Sequence, residues 1–315
     1  MSTEILSLSG SDVESLLDLD AAMASQRAAF VALARGAVDL PPKIMHPSRF
    51  DDSVVLAYVA RVSGRTGAVA KIGSVNPGNA GAGLPTVSAI VVALDPGTGR
   101  PVAIVDGVAI TTLRTAAASA VAVDALARAD AGSLGVLGSG VQGRAHVRAI
   151  ARVRPLRTVR VWSPTAEHRE RAAAELAGEL GIDVRAVDGA ERAVAGMDIV
   201  AACTLSRQPV VRGEWLGPEC TVVSVGSFEP GRREVDREVI RRAGAVVVDD
   251  PGTAVEHAGP VMDARLGPAD LVPLGAVLAG DRSVPSGIVF YNSVGLGVQD
   301  AAAAWAVIDA ARARR

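Results

Sequence analysis

Gly138-Ser139-Gly140-Val141-Gln142-Gly143 is a GxGxxG run set between a short apolar stretch, Ser133 to Leu137, and an amphipathic one, Val141 to Val153. The spacing suits a dinucleotide pyrophosphate. The first glycine allows a tight turn, the second lets backbone approach the phosphates, and free N–H groups at a helix start bind the anion. About 20 residues beyond such a run, an NAD site usually presents Asp or Glu to the ribose 2′-hydroxyl. Here the chain reads Val161-Trp162-Ser163-Pro164-Thr165, with no acid at the strand end and with His168 and Arg169 close behind. The hydroxyls of Ser163 and Thr165 and the cation of Arg169 can receive a 2′-phosphate. The sequence therefore favours NADP(H) over NAD(H), with the nearby Glu167 arguing the other way.

A second group of residues stands out by type. Of 32 basic residues only Lys43 and Lys71 are lysines. Lysine is a compact donor whose proton burial can displace, and arginine is a planar fork, so the two exchange poorly in a tight site. Lys71 lies in a β-rich run leading into Asn76-Pro77-Gly78-Asn79. Arg114 follows Asp106-Gly107 in what reads as the first turn of a helix capped by Thr111 and Thr112. A cation there opposes the helix dipole unless an anion lies beside it. A bound carboxylate would supply that anion, and so would a surface pair with Asp106. None of His46, His146, His168 and His257 sits at ligand spacing from a second His or Cys, so no metal is expected.

The elements that must hold these residues follow from periodicity. Residues 11–36 read as a helix with Ser9 or Ser11 as N-cap, and Val54–Val59, Val69–Val75, Val87–Leu94 and Val102–Val105 as a mostly antiparallel sheet. An alanine-rich helix runs on to Leu126. After Gly132 strands and helices alternate: strands at Ser133–Leu137, Thr158–Val161, Val184–Val187, Ile199–Cys203, Thr221–Val225 and Ala245–Val248, with helices at Val141–Val153 and Ala166–Leu180. Such alternation predicts a parallel, doubly wound α/β sheet. A last alanine-rich helix, Val298–Ala311, is expected to return to the first domain.

Bulk composition narrows the classes. At roughly 100 to 200 residues per domain, 315 residues suggest two domains. With 49% hydrophobic and 21% charged residues and a net charge of -2, the chain is neither disordered nor suited to coat nucleic acid. The apolar stretches read as interrupted before the ~18 residues a membrane span needs. No secretory pattern opens the chain, so a cytoplasmic protein is expected. Cys203 and Cys220 lack CxxC spacing and read as reduced core thiols.

Five runs together resemble the ornithine cyclodeaminase and mu-crystallin family: Lys71–Asn79, Asp106–Ala120, Gly138–Gly143, Val225–Glu234 and Ser293–Asp300. The motifs stand in the family's order over nearly the whole chain. The resemblance implies a substrate-binding and dimerisation domain over 1–122 and 293–315 and a Rossmann domain over 123–292, assembled as a homodimer. It implies that Lys71 and Arg114 clamp a substrate carboxylate and act in catalysis. Lys43 falls where the family commonly has a third clamp residue, an arginine, keeping the charge but losing the bidentate fork. Thr204, Gly226 and Ser293 are implied in cofactor binding beside the glycine run.

The departure is Phe228, in the substrate region, where cyclodeaminases of the family carry an aspartate credited with proton handling. A benzyl group can neither take nor give a proton. Glu229 could substitute only if its loop shifted. The reading that follows is an NAD(P)-dependent reductase of ketimines or imines, or an amino-acid dehydrogenase. Its rivals are a cyclodeaminase releasing ammonia from ornithine or lysine, and a non-catalytic NADPH- or hormone-binding protein.

Overall fold

The computed structural model describes residues 5–82 and 84–314. The chain divides into two compact units, one of the residues up to Arg114 with those from Leu296 onward, the other Thr115–Gly295. The seams fall at 114/115 and 295/296, where the sequence put them at 122/123 and 292/293. The first lies inside a continuous helix, so no linker marks it.

In the first unit, β1 (Leu6–Leu8), β2 (Ile44–Pro47), β3 (Val54–Ala60), β4 (Val69–Val75), β5 (Val87–Leu94) and β6 (Pro101–Asp106) form one sheet in the order β1-β6-β5-β4-β3-β2. Strands β2 to β6 pair antiparallel, and β1 joins β6 in parallel. Strand alternation puts Leu56, Tyr58, Val69, Lys71, Val91 and Val105 on the buried face. The C-terminal helix (Gly297–Ala313) packs against β3, β4 and β5 and against α2. The helix expected over 11–36 is two, α1 (Gly10–Leu16) and α2 (Leu19–Ala34). Asp18 leaves the helical path to cap α2, accepting from Ala21 N at 2.8 Å.

Helix α3 (Gly107–Leu126) starts earlier than the sequence suggested. Thr111 and Thr112 are not caps: their hydroxyls donate back to the Gly107 and Val108 carbonyls at 2.6 and 2.9 Å. Asp106 does the capping instead, accepting from Ala109 N at 2.7 Å. By length and composition α3 could cross a membrane, contrary to the sequence reading, but most of it is buried inside the protein.

In the second unit, β7 (Ser133–Leu137), β8 (Thr158–Trp162), β9 (Asp183–Ala186), β10 (Ile199–Ala202), β11 (Thr221–Ser224), β12 (Ala243–Val248), β13 (Val272–Pro273) and β14 (Ile288–Asn292) form an all-parallel sheet, order β13-β12-β14-β11-β10-β7-β8-β9. Helices α4 (Val141–Val153) and α5 (Ala166–Leu180) follow β7 and β8. The order turns at β7, and such a switch point opens a crevice at the carboxyl ends of the strands. The sequence reading lacked β14, which inserts between β11 and β12 with every residue buried. A strand covered on both faces reads as a plain apolar run without alternation. Both cysteines are free, and burial pushes their thiols up, Cys220 to about 12.

Candidate active site

In the first unit the sheet's buried face carries one ammonium. Lys71, on β4, is 3% exposed, and the C-terminal helix supplies its counter-ion: Lys71 Nζ lies 2.7 Å from Asp300 Oδ2. The other carboxylate oxygen, Oδ1, accepts from Arg114 Nε at 3.1 Å. Arg114 Nη1 reaches Gln299 Oε1 at 3.4 Å, and Nη2 has no protein partner among the described residues. Lys71 Nζ also lies 4.5 Å from the Tyr58 ring centroid, and Lys43 Nζ lies 5.5 Å from the same centroid. The three basic residues singled out in the sequence thus share one neighbourhood. Burial pulls the Lys71 ammonium down to about 8; Asp300 opposes this and Arg114 adds to it.

The anion beside Arg114 is called for by something other than the helix dipole that the sequence suggests. Arg114 is the eighth residue of α3, beyond the first turn, so the helix dipole is not the issue. Its pairing is with Asp300 and not with Asp106. What calls for an anion is burial, since two cations 3% and 6% exposed face a single carboxylate. An uncompensated charge of this kind is costly until an anion joins it.

In the second unit the glycine run forms a backbone cradle. Gly138 has φ of +105°, and a Cβ there would lie 2.4 Å from the Cys203 carbonyl oxygen. A Cβ on Gly143 would lie 1.8 Å from the Gly138 carbonyl oxygen. Gly140 caps α4 without a side-chain hydrogen bond, so the first N–H groups, from Val141 and Gln142 on, keep no side-chain acceptor from the cap. This arrangement fits a dinucleotide pyrophosphate. Gly138, Ser139, Gly140, Val141, Gln142 and Gly143 would hold it at the helix start. His146, a neutral imidazole that burial lowers to about 4, ties α4 to Ser119 at 2.9 Å.

At the end of β8, Ser163 is not the open hydroxyl that the sequence suggested. It is buried and hydrogen-bonded to Ser139 at 2.8 Å, so it braces the glycine turn. Thr165 is exposed. Arg169 donates through Nη1 to the carbonyls of Ser163 and Pro164 at 3.0 and 3.4 Å, which stations its guanidinium at the strand end. Glu167 is exposed and pairs with Arg171.

Two buried carboxylates, missed in the sequence, fix the loops at the same edge of the sheet. Glu234 accepts from Thr204 N, from Thr204 Oγ1 at 2.8 Å, from Ser224 Oγ at 2.7 Å and from Gly226 N at 2.7 Å. Burial raises its carboxyl, with these donors pulling the other way. Asp249 accepts from Tyr291 Oη, and from Ser293 Oγ, Val294 N and Gly295 N, each at 2.9 Å. The Ser293 hydroxyl is therefore committed to Asp249. Gly226 needs its lack of a side chain, because a Cβ would lie 1.8 Å from the Thr204 carbonyl oxygen. Phe228 packs against the core of this unit under the Arg232 guanidinium, 5.4 Å from the ring centroid. Glu229 is bound to that same guanidinium, so it does not stand free to replace a missing aspartate.

The first unit holds a buried cationic clamp, and the second has the doubly wound sheet and glycine cradle of a dinucleotide-binding fold. The chain belongs to the ornithine cyclodeaminase/mu-crystallin family, matching it over residues 3–315. It is similar to the Thermococcus litoralis Δ1-pyrroline-2-carboxylate reductase solved with NADH and L-proline: 30% identity, TM-score 0.93, 98% of each chain covered. It is likewise similar to an archaeal alanine dehydrogenase dimer with bound NAD: 32% identity, TM-score 0.89, covering 98% of this chain and 97% of the other. The ketimine reductase mu-crystallin of Mus musculus is 33% identical over 74% of this chain and 72% of its own length.

Proposed function

We propose that the protein is an NAD(P)-dependent oxidoreductase acting on the C–N bond of a small amino or imino acid, as a ketimine or imine reductase or an amino-acid dehydrogenase. The observation that carries this reading is the surplus positive charge of Lys71 and Arg114 over Asp300, which a substrate carboxylate balances. Arg114, held through Nε, offers Nη2 to that carboxylate. Fixing the carboxylate orients the adjacent C=N carbon, and positioning of this kind lowers a barrier by several kcal/mol. A reduced nicotinamide dinucleotide, when bound, supplies the hydride. Phe228 and the engaged Glu229 leave no proton carrier at the cyclodeaminase aspartate position, which disfavours loss of ammonia.

NADP(H) is the proposed cofactor, in preference to NAD(H). Support comes from the stationed Arg169, the exposed Thr165 and the lack of a carboxylate at the end of β8. One assay tests both statements: cyclic ketimines, pyruvate with amines, and ornithine, each with NADPH and NADH. Imine-dependent oxidation, faster with NADPH, is expected. Ammonia and proline from ornithine without net cofactor turnover would replace the reading with a cyclodeaminase, and tight cofactor binding without any turnover would replace it with a binding protein.

The protein is further proposed to be a homodimer through its first unit. The sheet face opposite the clamp exposes Ile44, Val55, Val59, Ile72, Ile90 and Ile104, each between 42% and 58% accessible. Ile72 and Ile90 are direct cross-strand partners, so the patch is continuous. A wide apolar face of this kind fits a second copy of the chain. Light scattering is expected to give twice the 32.1 kDa chain mass, and Ile72→Glu with Ile90→Glu to give monomers. A wild-type monomer at micromolar concentration would remove the proposal.

A further inference from the structure

Asp300 does more in the clamp than neutralise part of its charge. It is 1% exposed, and its two oxygens are divided between Lys71 Nζ at 2.7 Å and Arg114 Nε at 3.1 Å. It sits in the first turn of the C-terminal helix, beside Gln299, whose Oε1 accepts from Arg114 Nη1 and from Leu296 N at 2.8 Å. We propose that Asp300 is a positioning residue for the reaction, keeping Lys71 an ammonium able to protonate the imine nitrogen and turning Arg114 so that its outer edge meets the substrate carboxylate. This rests on the reductase reading above.

The groups that face Lys71 are few. Asp300 comes from the C-terminal helix and Arg114 from α3, with Thr111 Oγ1 at 3.5 Å. Tyr58 comes from β3, with Lys43 at the same ring. Of these only Asp300 is anionic. Burial and Arg114 both disfavour the charged amine, and among the described residues Asp300 is the carboxylate that opposes them. A bound reduced dinucleotide would supply a hydride to the imine carbon, and the C=N π pair would pass to nitrogen. There it takes the proton released as a Lys71 N–H bond breaks. Lys71 is left a neutral amine beside the Asp300 carboxylate, which draws the next proton from solvent back onto it.

Because Lys43 and Lys71 are the chain's two lysines, lysine side-chain labelling with carbon-13 gives two Cε resonances, separable by Lys43→Arg. In the wild-type chain the Lys71 signal is expected to titrate near 8. Asp300→Asn is expected to lower that midpoint by about 1 to 3 pH units, the scale for loss of an adjacent opposite charge. The high-pH limb of kcat/KM for a cyclic ketimine is expected to move down with it, while NADPH affinity stays unchanged. Asp300→Glu, which keeps the charge, is expected to raise KM and retain the limb. It also serves if the asparagine variant does not fold, since a limb that falls in folded Asp300→Glu contradicts the assignment. An unmoved Lys71 midpoint in folded Asp300→Asn overturns it. A wild-type protein that reduces no imine would sink the reductase reading alone, because the lysine titration needs no substrate.

Discussion

Arg114→Ala is expected to lower kcat/KM for an imino acid by about 30- to 1,000-fold, or roughly 2 to 4 kcal/mol, the scale for removing one partner of a desolvated charge pair. The loss arises at two places. The substrate carboxylate loses its fork, and Asp300 Oδ1 loses the donor that held it at 3.1 Å. Arg114→Lys separates the two effects: it restores charge but not the planar edge, so recovery is expected to be partial. NADPH binding, followed by fluorescence, is expected to be unaffected by either change. Wild-type kcat/KM in Arg114→Ala would remove the clamp from the account of the reaction.

Gly143→Ala is expected to act on the other unit. The new methyl would lie 1.8 Å from a backbone carbonyl oxygen and 2.9 Å from its carbon, and no side chain is available to yield. The turn must open, at a cost of about 1 to 3 kcal/mol, typical of overpacking. That shift displaces the N–H groups at the start of α4, so dinucleotide affinity is expected to fall by a factor of about 5 to 150. The clamp lies in a different unit, and its Lys71 titration is expected to stay where it is. Dinucleotide titration of the folded variant checks this, and an affinity equal to wild type would contradict the cradle.

How far the sequence could be read depended on the kind of signal. β-Rich runs closed by Gly and Pro turns, Asn76-Pro77-Gly78-Asn79 and Asp95-Pro96-Gly97, gave β4 and β5 to the residue. The glycine run stood in the strand-to-helix context that its chemistry requires. Short elements were illegible: β1 has three residues and β13 two, too few for a period to appear. The start of α3 was misplaced because threonine hydroxyls serve helix interiors as well as caps, returning their hydrogen bonds to carbonyls four residues back.

The largest omission at the site was Asp300. The sequence does carry a signal for it, since Gln299 and Asp300 are the polar pair in the wholly buried first turn of an alanine-rich helix. A buried acid in such a helix needs a cation, and Lys71 and Arg114 are the cations that the sequence singles out. Glu234 and Asp249 had no comparable signal. Their partners are backbone N–H groups and hydroxyls 8 to 46 positions away in the chain, and hydrogen bonding to backbone leaves no mark on residue types.

Those two carboxylates have a consequence for work at different ionic strengths. Glu234 and Asp249 are held by neutral donors in places that water does not reach, so dissolved ions have no counter-charge there to screen. The partly exposed pairs of Arg148 with Glu175 and Glu179 are in the opposite position, open to an ionic atmosphere with a screening length of about 8 Å at physiological salt. The loops carrying Thr204, Gly226 and Ser293 are thus expected to keep one shape from dilute buffer to concentrated salt. With the proposed dinucleotide as ligand, a fall in affinity with rising salt would then report on phosphate contacts made by cations such as Arg169, and not on a loosening of the loops themselves.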